Sequence, residues 1–167
     1  PNRYNKAHAI VFQKSPHGFA ESNELYSFHR NGIFVNNSDY TLVRRNYCNA
    51  RNHADIKDAP ASSEPKTGDA CVTVYTSSYT TIENNISDGT MGKPYILQSS
   101  ALSTSNRFFG NISIGATQVG LALEATSGND PLKMPTNTII KDHLEVNPVA
   151  TGIRFRGTKY ASCDHCT

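Results

Sequence analysis

Tyr40-Thr41-Leu42-Val43-Arg44-Arg45-Asn46-Tyr47-Cys48 lines up with Tyr79-Thr80-Thr81-Ile82-Glu83-Asn84-Asn85-Ile86-Ser87. Two looser copies follow. They are Asn106-Arg107-Phe108-Phe109-Gly110-Asn111-Ile112-Ser113 and Asn137-Thr138-Ile139-Ile140-Lys141-Asp142-His143-Leu144. The shared element is an apolar residue, two variable residues, an Asn (His in the last copy), then an apolar or aromatic residue. The markers Asn46, Asn85, Asn111 and His143 stand 39, 26 and 32 residues apart.

Each copy has an apolar companion upstream: Gly32-Ile33-Phe34-Val35, Cys71-Val72-Thr73-Val74, Tyr95-Ile96-Leu97 and Val119-Gly120-Leu121-Ala122-Leu123. Gly152-Ile153-Arg154-Phe155 follows the last copy. A short strand cannot bury its apolar face alone. Coiling the chain and stacking each turn on the one before buries a continuous column. The excess residues then sit in outward loops. Residues 51–69 and 126–136, rich in Pro, Gly, Asp and Ser, are expected to protrude. The Asn column also has a physical cause. Asn tolerates bends, and stacked amides bond to one another along the axis.

Composition agrees. Asn, Ser and Thr supply 47 of 167 residues, and Ile plus Val outnumber Leu by 19 to 8. That balance disfavours a helical bundle. No run is long and apolar enough for a membrane span, and no basic-then-apolar leader marks a signal peptide. A net charge of +2 does not point to nucleic acid.

These repeats resemble right-handed parallel β-helix proteins of the pectin-lyase-like superfamily. The resemblance covers about residues 30–160 and singles out no one family. It implies an all-β solenoid of about five irregular coils. The rival is an antiparallel β-sandwich or jelly roll, which has no reason to repeat Tyr-Thr-x-Ile/Val-x-x-Asn. Neither terminus shows an amphipathic cap, and Cys166-Thr167 reads as the start of another bend element. The chain is therefore expected to be one β-helix segment of a longer solenoid, or to pack at open ends against further coils or other chains.

In such a coil the variable residues face outward. One column reads Arg44, Glu83, Phe109, Lys141; the next reads Arg45, Asn84, Gly110, Asp142. Arg44 should approach Glu83. The plain reading is a solvated charge ladder. The sharper one is a groove for an acidic polysaccharide, with cations pairing carboxylates, calcium as a possible ion, and Phe109 as an aromatic contact. Arg154 and Arg156 flank Phe155 and should face out, within a basic stretch at 141–159. The superfamily's lyases use a Lys or Arg base beside an Arg or calcium ion that offsets the uronate carboxylate. The resemblance thus makes Lys141, Arg154 and Arg156 catalytic candidates for β-elimination. Glu124 stands where such relatives have Lys, which weakens that reading. The Asp-Asp and Gly-His-Gly motifs of related hydrolases do not occur.

Four cysteines in a polar chain fit a secreted, disulfide-bearing protein. Cys163 and Cys166 are a candidate disulfide; a metal pair or a redox motif stay open. His143 is expected to satisfy the bend bonds of the Asn it replaces. Asn36, Asn85 and Asn111 head Asn-x-Ser sequons, of which the last two are ladder positions and should be inward. The expected role is extracellular and structural or carbohydrate-binding, with no cofactor required.

Overall fold

The computed structural model describes residues 8–26, 28, 30–49, 70–89, 92–99, 103–125 and 134–167. These form seventeen short strands in three parallel sheets. Sheet A holds β1 (Ile10–Gln13), β4 (Asn31–Asn36), β7 (Ala70–Tyr75), β10 (Tyr95–Ser99), β13 (Val119–Ala125) and β16 (Thr151–Arg156). Sheet B holds β2 (Phe19–Glu21), β5 (Leu42–Arg44), β8 (Thr81–Glu83), β11 (Arg107–Phe109), β14 (Ile139–Lys141) and β17 (Ser162–Asp164). Sheet C holds β3 (Glu24–Tyr26), β6 (Tyr47–Asn49), β9 (Ile86–Asp88), β12 (Ile112–Ile114) and β15 (Leu144–Val146). The chain visits A, B and C in turn, giving five full coils and two strands of a sixth. Every strand pairs in parallel with the strands one coil away, so the sandwich alternative is set aside.

The core consists of stacked columns. Ile33, Val72, Tyr95 and Leu121 are register partners in sheet A, as are Val35, Val74, Leu97 and Leu123. Val43, Ile82, Phe108 and Ile140 form the inward column of sheet B, and all four are buried. Tyr95 keeps its hydroxyl inside by directing its single O–H between the carbonyls of Asn85 and Ile112, each 2.9 Å away. Burial, and then the charge of Glu145, push that phenol well above its ordinary pKa, so it remains a neutral donor.

The amide ladder is continuous through Asn23, Asn46, Asn85 and Asn111. The backbone N–H groups of Asn23, Asn46 and Asn85 each donate to the Oδ1 of the next Asn, at 2.9–3.1 Å. Each of Asn46, Asn85 and Asn111 also donates Nδ2 to the carbonyl of the core residue one coil back. The left-handed turn falls one residue earlier. Ser22, Arg45, Asn84, Gly110, Asp142 and His165 have φ between 50° and 60°. Their N–H groups from Ser22 through Asp142 bond to carbonyls of the following coil, which holds non-glycine residues in a region they otherwise avoid. A second ladder uses serine: Ser15, Ser38 and Ser77 each donate N–H to the hydroxyl of the next, ending at Ser103.

Several expectations need correction. The coil starts earlier than residue 30: β1–β3 make a first coil, with Ala20 and Asn23 in the core and ladder columns. Ala20 is too small to read as a core position in the sequence. Cys166 does not open a new element. Cys163 is the register partner of Ile140, so Cys166 stands at the ladder position of a coil already under way. Of the two loops, 51–69 and 126–133 lie outside the described residues. At the end of the second, Thr136 already bridges to Thr104 and Lys159 and so belongs to the coil.

Cys48 on β6 and Cys71 on β7 form a disulfide, both residues fully buried and Cα atoms 5.5 Å apart. It joins two coils across a separation of 23 residues. Replacing both cysteines by alanine should lower stability by about 3 kcal/mol. At this chain length, calorimetry should then show a midpoint lower by roughly 6–12 °C. An unchanged midpoint would contradict it. Cys163 and Cys166 form the second disulfide.

Candidate ligand-binding faces

The outer face of sheet B carries two columns, because the middle residue of each three-residue strand points inward. One runs Phe19, Leu42, Thr81, Arg107, Ile139, Ser162; the other runs Glu21, Arg44, Glu83, Phe109, Lys141, Asp164. Arg44 is occupied. Its Nε donates to Glu21 at 2.7 Å, its Nη1 lies 3.9 Å from Glu83, and its guanidinium sits 5.4 Å from the Phe19 ring centre. Arg45 adds a contact to Glu21 at 3.3 Å. Arg44 is therefore shared between Glu21 and Glu83, a charge ladder of small net value at a solvated surface.

The next coils differ. Arg107 pairs in register with Ile139, and Phe109 with Lys141. This makes a block of four outward side chains with its two cations on one diagonal. Strand spacing and rise put their Cα atoms roughly 8 Å apart. Arg107 and Lys141 are exposed, Ile139 is exposed and Phe109 half-buried. No described carboxylate lies within ion-pair distance of either cation. Asp142 sits at the adjoining bend and faces His165 at 3.4 Å. Arg107 was missed in the sequence because it precedes the core Phe108. Its spacing of two from Phe109, along one strand, was the signal that both share a face.

Lys141 is not grouped with Arg154 and Arg156. Lys141 leaves sheet B, whereas the two arginines leave sheet A. The basic stretch at 141–159 is continuous in sequence but divided between two sides of the coil. Arg154 is also engaged. Its Nη2 donates to Glu124 Oε1, and Lys93 Nζ lies 3.1 Å from Glu124 Oε2. Burial alone would raise the Glu124 carboxyl. The hydrogen bonds from Arg154 and Lys93 outweigh it and hold the group below its ordinary pKa. Glu124 thus stands as the fixed counter-ion of two cations. Arg156, beside it in register, is exposed.

Inside the coil, His143 does not continue the amide ladder. Its Nε2 meets Glu145 Oε1 at 2.7 Å, with both side chains buried, and its Nδ1 has no partner among the described residues. An imidazole has no amide that can donate and accept in line, so the ladder ends at Asn111. Glu145 is inward because it is the register partner of Ser113. Among the described residues, no three His, Cys, Asp or Glu side chains gather as a metal-binding group.

A family model described as "Right handed beta helix region" matches residues 3–167. The chain belongs to the right-handed β-helix family. The match includes the first coil and spans the three-sheet solenoid from end to end. No curated protein and no solved structure matches this β-helix protein.

Proposed function

We propose that this β-helix protein acts outside the cell as a carbohydrate-binding solenoid, with the outer face of sheet B as its sugar-contacting surface. The block formed by Arg107, Phe109, Ile139 and Lys141 supports it. Neither cation forms an ion pair with a described carboxylate, Asp164 standing beside Lys141 in register, so both are available for charge-assisted hydrogen bonds to an anionic sugar. The apolar pair supplies a dry contact for its C–H face. The two disulfides and the polar, Asn-rich coil are compatible with an extracellular setting.

Titration calorimetry with acidic and neutral oligosaccharides tests this. Acidic chains should bind, and the Arg107→Ala/Lys141→Ala pair should weaken them at least tenfold. Arg44→Ala, whose side chain is already paired, should change affinity less than threefold. Equal binding by all three proteins, or no binding by the unmodified one, would overturn the proposal. A lyase acting by β-elimination is the second reading. The observation in its favour is that Lys141 has an arginine on its own face. That arginine is Arg107, and not Arg154 or Arg156. Absorbance of unsaturated uronates after incubation separates a lyase from a binder.

A further inference from the structure

We propose that Asn36 is an N-glycosylation acceptor, the one of the three sequons turned outward in the coil. The inference rests on the extracellular part of the proposed function. Asn85 and Asn111 are fully buried, and their Nδ2 groups are committed to the carbonyls of Val43 and Ile82. A glycan on either would have to replace those bonds. Asn36 ends β4 and alternates with the core residue Val35, so its side chain leaves sheet A. It is partly exposed. Its Oδ1 accepts from Asn37 Nδ2 at 3.2 Å, while its own Nδ2 donates to no described residue. Asn37, at φ 48°, then turns the chain away from the strand.

The surroundings suit a sugar. Phe34, two residues earlier, shares the outward face, and Tyr75 is the register partner of Asn36. The two rings meet edge to face, 5.2 Å between centres. His8 stacks on the Phe34 ring at 4.4 Å, so the amide stands at the rim of a packed aromatic cluster that gives the first residue of a glycan an apolar edge to rest against.

The timing is also set. Ser38 is fully buried; its hydroxyl donates to the Asn36 carbonyl at 2.9 Å and accepts from the Ser15 N–H at 3.0 Å. The hydroxyl that completes the sequon is sealed once the serine ladder closes. Modification therefore precedes packing of the second coil. In the step, Asn36 Nδ2 bonds to the anomeric carbon of a lipid-pyrophosphate-linked oligosaccharide. The anomeric C–O bond breaks, the lipid pyrophosphate leaves with the electron pair, and the amide nitrogen gives one proton to solvent.

The full chain, directed through the secretory route of a eukaryotic cell, provides the test. Glycopeptide mass spectrometry should find a glycan at Asn36 and none at Asn85 or Asn111. Asn36→Gln should lose one glycan from the intact mass and keep its folded circular dichroism. Protein folded first in bacteria should be a poor substrate for oligosaccharyltransferase, and the unfolded 34–40 peptide a good one. Bare Asn36 in the secreted protein, or glycans on Asn85 or Asn111 of folded material, would overturn the inference. Failure to secrete counts against the extracellular reading instead. Occupancy of Asn36 on chain translocated into microsomes then still decides the inference.

Discussion

Asn85→Ala should lower the stability of this protein by about 4 kcal/mol, near the upper end for one substitution. Asn85 is fully buried and joins three coils. Its Oδ1 accepts from the backbone N–H and the Nδ2 of Asn46, both at 2.9 Å. Its Nδ2 donates to the Val43 carbonyl at 3.1 Å and to Asn111 Oδ1 at 3.0 Å. Alanine takes away the partner of the buried Asn46 N–H and of the Val43 carbonyl, while Asn46 Nδ2 keeps the Ala20 carbonyl and Asn111 Oδ1 keeps the Asn85 N–H. Each such orphan costs roughly 1–3 kcal/mol, and the sum is tempered because the cavity lets some groups re-pair. The thermal midpoint should fall by roughly 8–16 °C. Asn84→Ala, one residue away and outward, is the control. It loses a side chain tolerant of positive φ, at about 1 kcal/mol. Equal effects at the two positions would show that the bend, and not the amide ladder, carries the stability.

Gly120→Ala should cost about 3 kcal/mol, the scale of overpacking a filled site together with loss of a buried hydrogen bond to a carboxylate. The reason is not backbone freedom. A Cβ at Gly120 would fall within the Glu145 carboxylate. That carboxylate is buried and held by His143 at 2.7 Å, so it cannot move aside without leaving the imidazole. A double-mutant cycle isolates the mechanism. In a Glu145→Ala background, Gly120→Ala should cost less than about 1 kcal/mol, because the space is then free. The same cost in both backgrounds would refute the overlap and point to strain in β13.

Much of the coil is legible locally. Val43, Asn46, Ile82 and Asn85 repeat an inward residue followed three positions later by an amide, and that pattern lies within one bend. The same spacing in Ala20 and Asn23 is not legible, because the small core residue erases the apolar signal. His143 misleads for another reason. Its spacing matches the ladder, but its true partner, Glu145, is inward only because β15 stacks on Ser113.

The candidate faces were less legible. Arg44, Lys141 and Arg154 all read as outward cations in the sequence, and Arg107 does not. Arg44 and Arg154 prove to be bound to carboxylates, Glu21 and Glu124, while Arg107 lies in register with Ile139, and Lys141 with Phe109 and Asp164, neither in an ion pair with a described carboxylate. Those neighbours come from other coils, at separations that change with every outward loop. Register partners Arg44 and Glu83 are 39 residues apart, Glu83 and Phe109 are 26, and Phe109 and Lys141 are 32. The sequence alone therefore determined the coil, its inward columns and its amide ladder, since each bend repeats within a few residues. Only the tertiary structure decided which charges are spent on each other and which face solvent. That choice depends on inter-coil hydrogen bonds that bring distant strands into register.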